Sequence, residues 1–67
     1  MLTKNEFKKI FCDESKRLSG TKPDAKTIEE EYNGYVAGVR LFKSDGDLEF
    51  TLNEKGKVGY IFTPRNV

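Results

Sequence analysis

The C-terminal third of the chain alternates apolar and polar residues on both sides of Gly56. The segment LNEKGKV, from Leu52 to Val58, fits a three-residue hairpin loop in which Gly56 adopts a left-handed backbone conformation. This loop places Leu52 opposite Val58 and thereby fixes every other pair along the two strands. A shift of one residue would move the apolar side chains to the other face of the sheet. The loop therefore predicts an antiparallel hairpin with one apolar face, formed by Leu48, Phe50, Leu52, Val58, Tyr60 and Phe62.

A second turn signal, Asp45-Gly46, predicts a third strand that precedes this hairpin. Asp-Gly is a preferred sequence for a two-residue turn, and this turn would place Leu41 opposite Phe50. Val39 would then join the apolar face that the first loop defines. Because two independent turns agree on the same face, the sequence predicts a three-stranded antiparallel meander, with strands at residues 35–43, 47–53 and 57–63.

The first helix is predicted by its start and stop signals. Thr3 and Glu6 have the spacing of a capping box, and Gly20 is placed to end a helix. Glu14 lies near the centre of the apolar arc, so we expect it to reach solvent, to pair with a basic residue or to face a partner. These signals predict a helix over residues 4–19 that packs on the sheet through residues at helical spacing, namely Phe7, Ile10, Phe11 and Leu18.

The segment TIEEEYNGYVAGVRLF, from Thr27 to Phe42, is compatible with two structures. In the first, a helix covers residues 23–33, with Thr21 as its cap, Pro23 in its first turn and Asn33-Gly34 at its end. In the second, Asn33-Gly34 is a hairpin turn, and the glutamates belong to a strand that protects the sheet edge. One helix would leave much of the apolar face of a three-stranded sheet exposed, so we favour an α+β fold with two helices. One helix with a four-stranded meander is the alternative.

The length of 67 residues corresponds to a single small domain over residues 1–67. A domain of this size buries only about 60% of the surface that its unfolded chain exposes, so a deep substrate cavity would compete with the core. The net charge of +1 gives no overall attraction to nucleic acid or to anionic lipid. A single cysteine, Cys12, excludes an internal disulfide and is typical of a reducing compartment. Since no apolar run has membrane-spanning length, these features predict a cytoplasmic protein with no membrane partner.

The residues that common catalytic and metal sites need are missing from the sequence. The chain contains no histidine, which is the usual general base and a frequent metal ligand. Cys12 would lack an imidazole partner as a nucleophile, and one cysteine without histidines cannot form a zinc site. Nothing in the sequence places two of the glutamates 29–31 in a dry pocket, where their pKa values would separate. We therefore expect a protein that is not an enzyme and that holds no cofactor and no metal ion.

The segment NEKGKVGYIFTP, from Asn53 to Pro64, resembles the nucleic-acid-binding segment of cold-shock domains. The shared features are an asparagine, a Lys-Gly pair, alternating aromatic residues and glycine, and a final Thr-Pro. The resemblance implies a surface on which exposed aromatic residues stack against bases. This chain departs from the pattern, because Lys57-Val58 stands where an aromatic residue is expected and because a helix is predicted ahead of the strands. The hairpin register also assigns Tyr60 and Phe62 to the core face.

The first functional hypothesis is a small protein-binding module, such as a regulator or inhibitor of the accessory type found in phages and mobile elements. Its binding surface could be an acidic segment that steers toward a basic partner. It could instead be the outer face of the sheet, where apolar side chains interrupt a polar surface. The candidate residues are Asp24, Glu29, Glu30 and Glu31 in the acidic segment, and Val36, Arg40, Phe42 and Ile61 on the sheet.

The second hypothesis is nucleic-acid binding through basic residues of the first helix or of the sheet. Affinity would then fall steeply as the salt concentration rises. A third possibility is a homo-oligomer, because the predicted core is thin and one sheet edge could be free. The candidate residues for phosphate contacts are Lys4, Lys8, Lys9, Lys16, Arg17, Lys55 and Lys57.

Overall fold

The structure is a computed structural model that describes residues 1–65. These residues form two helices followed by a hairpin: α1 (Lys4–Ser19), α2 (Ala25–Phe42), β1 (Gly46–Leu52) and β2 (Val58–Pro64). One face of the antiparallel β1–β2 sheet packs on both helices. The α+β class is confirmed. The three-stranded meander is wrong, because the described part of the chain contains two strands.

Helix α1 has the bounds that the sequence predicts. The hydroxyl of Thr3 accepts a hydrogen bond from the N–H of Glu6 at 3.2 Å, and the Glu6 carboxylate accepts one from the N–H of Thr3 at 2.8 Å. The predicted capping box is therefore confirmed. At the other end, Gly20 takes the left-handed conformation with φ of 77°, and its N–H donates to the carbonyl of Lys16. Glycine adopts this conformation at little steric cost, which is why the helix ends there.

Helix α2 begins two residues later than predicted. Its N-cap is Asp24 rather than Thr21, and the Asp24 carboxylate accepts a hydrogen bond from the N–H of Thr27 at 2.8 Å. Pro23 therefore precedes the cap instead of lying in the first turn. Either position suits proline, because neither requires an N–H inside the helix.

The predicted strand at residues 35–43 is wrong, because α2 continues through Asn33-Gly34 and ends at Phe42. The alternative with four strands is wrong for the same reason. Helix α2 ends where Lys43 takes a left-handed conformation with φ of 52°. Its continuation is explained by an apolar stripe at helical spacing that crosses Asn33-Gly34 and packs inward, formed by Ile28, Tyr32, Tyr35, Val36 and Val39.

Gly38 of α2 allows the hairpin to approach the helix closely, because a Cβ atom there would lie 3.3 Å from the ring of Phe62. A Cβ atom at Gly34 would lie 3.5 Å from the hydroxyl of Tyr60, which is an ordinary contact distance. The Asn33-Gly34 pair lies inside α2 and is neither a turn nor a helix end. The Asp45-Gly46 pair is likewise not a hairpin turn but the junction between α2 and β1.

The hairpin has the register that the Gly56 loop predicts. Phe50 pairs with Tyr60, Leu48 with Phe62 and Leu52 with Val58. Gly56 has the expected positive φ, at 78°. The side chain of Asn53 closes the loop by accepting hydrogen bonds from the backbone N–H groups of Lys55 and Lys57, each at 2.9 Å.

The core is a cluster of aromatic rings around Phe7, which has 0% exposure. Its ring centroid lies 5.8 Å from that of Phe11 in the same helix, 5.6 Å from Tyr35 in α2 and 5.7 Å from Tyr60 in β2. Phe50 of β1 completes the buried cluster. Offset and edge-to-face arrangements at these distances add to the free energy gained by burial.

The tyrosine hydroxyls of the core bond to backbone groups of other segments. Tyr60 donates to the carbonyl of Glu31 at 2.7 Å, and Tyr32 donates to the carbonyl of Leu2 at 3.0 Å. Tyr35 accepts from the N–H of Leu2 at 2.9 Å. These bonds satisfy polar groups that the rings carry into the interior, and they attach the N-terminal residues and the hairpin to α2.

Replacement of Gly46 by alanine should destabilise the fold. The added Cβ would lie 2.4 Å from the ring of Phe62 and 2.6 Å from the backbone oxygen of Thr63, so the hairpin must shift. We expect a loss of about 1–3 kcal/mol in the free energy of unfolding, measured by urea denaturation. Gly59→Ala is the matched control, because no atom lies within 4 Å of its added Cβ. An equal loss in both variants would contradict the close packing at Gly46.

Candidate functional site

The acidic residues of the first hypothesis do not form one surface. Asp24 serves as the N-cap of α2, where hydrogen bonds from Thr27 hold the pKa of its carboxyl below the usual value. Glu29, Glu30 and Glu31 are consecutive in α2, so their side chains point in directions about 100° apart. The Glu29 carboxylate lies 3.6 Å from the Nζ of Lys4 in α1. The four residues therefore take different positions around the helix.

The apolar residues expected on the outer sheet face are separated in the structure. Ile61 lies on the outer face of β2, opposite Glu49, and is exposed. Phe42 is the last residue of α2, and its ring lies 6.2 Å from that of Phe62 on the inner face. Val36 packs against the core, whereas Arg40 is exposed on α2. Since residues 35–43 are helical, these side chains share no sheet face.

The C-terminal end of α2 nevertheless exposes an apolar pair. Leu41 is 76% exposed and Phe42 is 47% exposed. They are flanked by the exposed basic residues Arg40 and Lys43. The predicted position of Leu41 on the core face is wrong, because its helical position directs it toward solvent.

The basic residues of the second hypothesis are exposed, but two of them already have acidic partners. Lys4 is paired with Glu29, and Arg17 is paired with Glu14 in α1. The remaining residues of this set take part in no ion pair within residues 1–65; they are Lys8, Lys9 and Lys16 on α1, and Lys55 and Lys57 in the hairpin loop.

A hollow of about 560 Å³ lies between the hairpin loop and the junction of the two helices. It brings together Glu30 and Glu31 of the acidic segment and Lys57 of the loop. The same hollow contains Ser15, which is 3% exposed and whose hydroxyl has no hydrogen-bond partner in the described part of the chain. Because both acidic and basic side chains line this hollow, its charge favours no single class of ligand.

A second concave surface, which we call the α1–β1 groove, lies between α1 and β1 and has a volume of about 410 Å³. Ile10 and Glu14 form part of its wall on α1, and Leu48 and Phe50 form part of its wall on β1. Ile10 remains 37% exposed, although it belongs to the apolar arc of α1. Glu14 pairs with the basic residue Arg17, which is one of the three surroundings predicted for it, and it also borders this groove.

The edge of β1 beside this groove has no strand partner. Backbone hydrogen bonds from Asn53 to Lys57 and from Arg65 to Asp45 bracket the β1–β2 ladder. In an antiparallel ladder, successive residues direct their backbone N–H and C=O groups alternately toward the partner strand and away from it. Between the two bracketing bonds, four residues of β1 direct these groups away from β2, namely Gly46, Leu48, Phe50 and Leu52. Among residues 1–65, no backbone group bonds to Leu48, Phe50 or Leu52 on that side.

The lining of the groove is acidic, with four carboxylates against one guanidinium and one amino group. The amino group of Met1 lies 2.7 Å from the Asp45 carboxylate, and this hydrogen bond lowers the pKa of Asp45. The Nε of Arg65 lies 3.0 Å from the Asp47 carboxylate. The net charge of the lining is therefore −2, counted over Glu6, Glu14, Asp45, Asp47, Arg65 and the Met1 amine.

The groove was not predicted from the sequence, because its two walls come from segments far apart in the chain. The one available signal was Glu14, a charged residue in the middle of an apolar helical arc. Its position indicated that this side of α1 is not covered by the core.

The described residues contain no cluster of three or more histidine, cysteine or carboxylate residues that could hold a metal ion. No helix within residues 1–65 combines the length and apolar character needed to cross a membrane. Tyr60 and Phe62 face the helices rather than solvent, and the Tyr60 hydroxyl is bonded to Glu31. The base-stacking surface implied by the cold-shock resemblance is therefore not formed by these two rings.

Comparison of this chain with known proteins finds no matching protein family, no matching curated protein and no matching solved structure.

The structural role of Asp24 predicts a pH-dependent effect of its removal. Since the pKa of Asp24 is lowered in the folded chain, its contribution to stability is complete above pH about 4 and is lost as the pH falls through the lowered pKa. Asp24→Ala should therefore lower the Tm at neutral pH, and the difference from the wild type should shrink in acid. Asp13→Ala is the control, because this exposed acidic residue of α1 caps no helix. A pH-independent difference for Asp24→Ala would contradict the capping role.

Proposed function

We propose that this chain is a small non-enzymatic protein-binding module, a regulator or inhibitor that acts by binding another protein through the α1–β1 groove. The observation that carries this proposal is the unpaired edge of β1 beside a groove that is partly apolar. The proposed mode of binding is strand addition, in which an extended segment of the partner pairs with β1.

An unpaired strand edge is a template for pairing with another chain, and proteins usually protect such edges. The edge of β1 carries no proline from Gly46 to Leu52, so each of its outward N–H groups can donate. Strand β2 instead ends in Pro64, which has no N–H. The edge of β1 is thus the better template for a third strand.

The groove supplies contacts for side chains as well as for the backbone. Successive side chains of a strand point to opposite faces, so every second side chain of an added strand would point toward the helices. There it would meet Ile10, which is 37% exposed, and Leu48, which is partly buried. Backbone pairing would provide affinity, and the groove would select the side chains.

The other candidate surfaces support binding less directly. The glutamates of α2 point in different directions around the helix axis. Leu41 and Phe42 are exposed on α2 but line neither of the two concave surfaces. Both remain alternatives that a single experiment can separate from the groove.

The experiment places one lysine on each of three surfaces and measures partner capture. Ile10→Lys alters the groove, Glu30→Lys alters the acidic segment, and Leu41→Lys alters the C-terminal end of α2. All three residues are exposed helical positions, and lysine has high helix propensity, so the fold should be retained in each variant. Circular dichroism checks retention of the fold before binding is compared.

Each tagged variant is used to capture partners from a host lysate that has been treated with nuclease. We expect a stoichiometric protein that is bound by the wild type, by Glu30→Lys and by Leu41→Lys, and that is lost with Ile10→Lys. Loss with Glu30→Lys or Leu41→Lys alone would reject the groove and assign binding to the corresponding surface. Capture that depends on intact nucleic acid would reject the protein-binding proposal.

Nucleic-acid binding is the second candidate function, and the observation that favours it is the set of exposed lysines on α1 outside ion pairs. Replacement of Lys8, Lys9 and Lys16 by glutamine should then abolish the shift of labelled RNA or DNA at low salt. The wild-type affinity should also fall by roughly tenfold or more when the salt concentration rises severalfold. The absence of a shift at low salt would reject this candidate.

A further inference from the structure

We infer that the segment bound by β1 is a strand of another protein that alternates basic and apolar residues, rather than a second copy of this chain. This inference rests on the proposed function, and it specifies the chemistry of the partner. Three features of β1 carry it: the direction of its free backbone groups, the charge of its outer face and the apolar side chains of its inner face.

The backbone geometry divides the side chains of an added strand into two sets. The free N–H and C=O groups on this edge belong to Leu48, Phe50 and Leu52, whose side chains lie on the sheet face toward the helices. The carbonyl of Gly46 already accepts a hydrogen bond from the Nη2 of Arg65 at 3.3 Å. An added strand continues the sheet, so one set of its side chains would enter the α1–β1 groove. The other set would lie on the outer face, beside Asp47, Glu49 and Thr51, at cross-strand distances of about 5 Å.

The outer face of β1 favours basic neighbours. Asp47 already pairs with Arg65, whereas Glu49 lies opposite the apolar Ile61 of β2. Glu49 is exposed and forms no ion pair with any residue of the described chain. A lysine or arginine at the adjacent position of an added strand would pair with Glu49, and a glutamate there would be repelled.

The inner side favours apolar residues with an acidic border. Ile10, Leu48 and Phe50 provide the apolar contacts, and Glu6 and Glu14 line the same groove. The lining carries a net charge of −2, but Glu14 is paired with Arg17 outside the lining, so Glu6 is the groove carboxylate that has no ion pair within residues 1–65. The charge of Glu6 adds to the attraction for a basic segment. Together, the two faces favour an alternation of apolar residues directed inward and basic residues directed outward.

Pairing with a second copy of the chain brings like charges together in two central registers and forms no ion pair at Glu49 in the third. Two β1 strands paired about a two-fold axis at Glu49 would place the two Glu49 side chains opposite each other. A two-fold axis at Leu48 would place Asp47 opposite Glu49 twice. Like charges in directly opposite positions are destabilising. A two-fold axis at Phe50 avoids these contacts, but it places Glu49 beside Thr51 and leaves its charge unpaired.

The test uses capped seven-residue peptides, which match the length of β1, and amide chemical shifts of the full chain. One peptide alternates lysine and valine, and its matched partner alternates glutamate and valine. With the lysine peptide we expect the largest shifts at Gly46, Leu48, Phe50 and Leu52. We expect the glutamate peptide to bind at least about tenfold more weakly, because attraction to the acidic face is replaced by repulsion.

Methylation of selected peptide nitrogens tests strand pairing without altering the protein. In an antiparallel addition the peptide N–H groups that face β1 belong to the valines, and in a parallel addition they belong to the lysines. One of the two methylation patterns should therefore abolish binding, and the other should leave it intact. Equal binding by both methylated peptides would overturn strand addition.

A charge exchange on the protein tests the role of Glu49. The variant Glu49→Lys should reverse the preference, so that the glutamate peptide binds more tightly than the lysine peptide. Glu54→Lys, which makes the same change in the exposed hairpin loop, should keep the wild-type preference. Equal affinity of both peptides for the wild type would overturn the inferred charge pattern.

The outcomes separate the inference from the proposed function. Failure of both peptides to shift β1, with a cellular partner that is still lost with Ile10→Lys, would overturn the inference and leave the proposed function standing. Failure to find any partner that depends on the groove would overturn the proposed function itself. Shifts of the same β1 amides on dilution of the protein without peptide would assign the edge to a second copy and overturn the inference.

Discussion

Contact between the ring of Phe7 and rings from α2 and β2 joins the separate elements of this small domain. Phe7 has 0% exposure, and it packs against Tyr32 and Tyr35 of α2 and against Tyr60 of β2. In a chain of 67 residues, a few large rings must supply much of the buried apolar area, so their positions determine how the elements pack. This cluster occupies the inner face of the hairpin and leaves the edge of β1 uncovered.

Local signals determined the elements that were predicted correctly. The capping box at Thr3 and the left-handed Gly20 define α1 without reference to any other part of the chain. The loop at Gly56 sets the hairpin register in the same way. The continuation of α2 through Asn33-Gly34 depends instead on tertiary packing, because Tyr35, Val36 and Val39 beyond this pair pack on the core and Gly38 lies close to Phe62. A glycine that allows close packing and a glycine that ends a helix look alike in the sequence.

The candidate site was less predictable than the fold. Three successive glutamates suggest an acidic patch in a sequence, but a helix distributes them around its axis. The α1–β1 groove depends on two segments that the sequence separates by more than thirty residues. Only Glu14 marked it, because a charged side chain in an apolar arc indicates a surface that the core does not cover. An unpaired strand edge can be identified only when the number of strands in the sheet is known.

The tyrosine hydroxyls give this fold an optical property. The chain has three tyrosines and no tryptophan, so its near-ultraviolet absorbance and fluorescence arise mainly from tyrosines, with a weaker contribution from its five phenylalanines. Each tyrosine hydroxyl bonds to a backbone group of another segment. Burial raises the pKa of Tyr60 to about 12, so its ionisation in alkali is coupled to separation of its hydroxyl from the Glu31 carbonyl. The part of the phenolate absorbance that appears only near pH 12 can therefore follow detachment of the hairpin from α2 in the unlabelled protein.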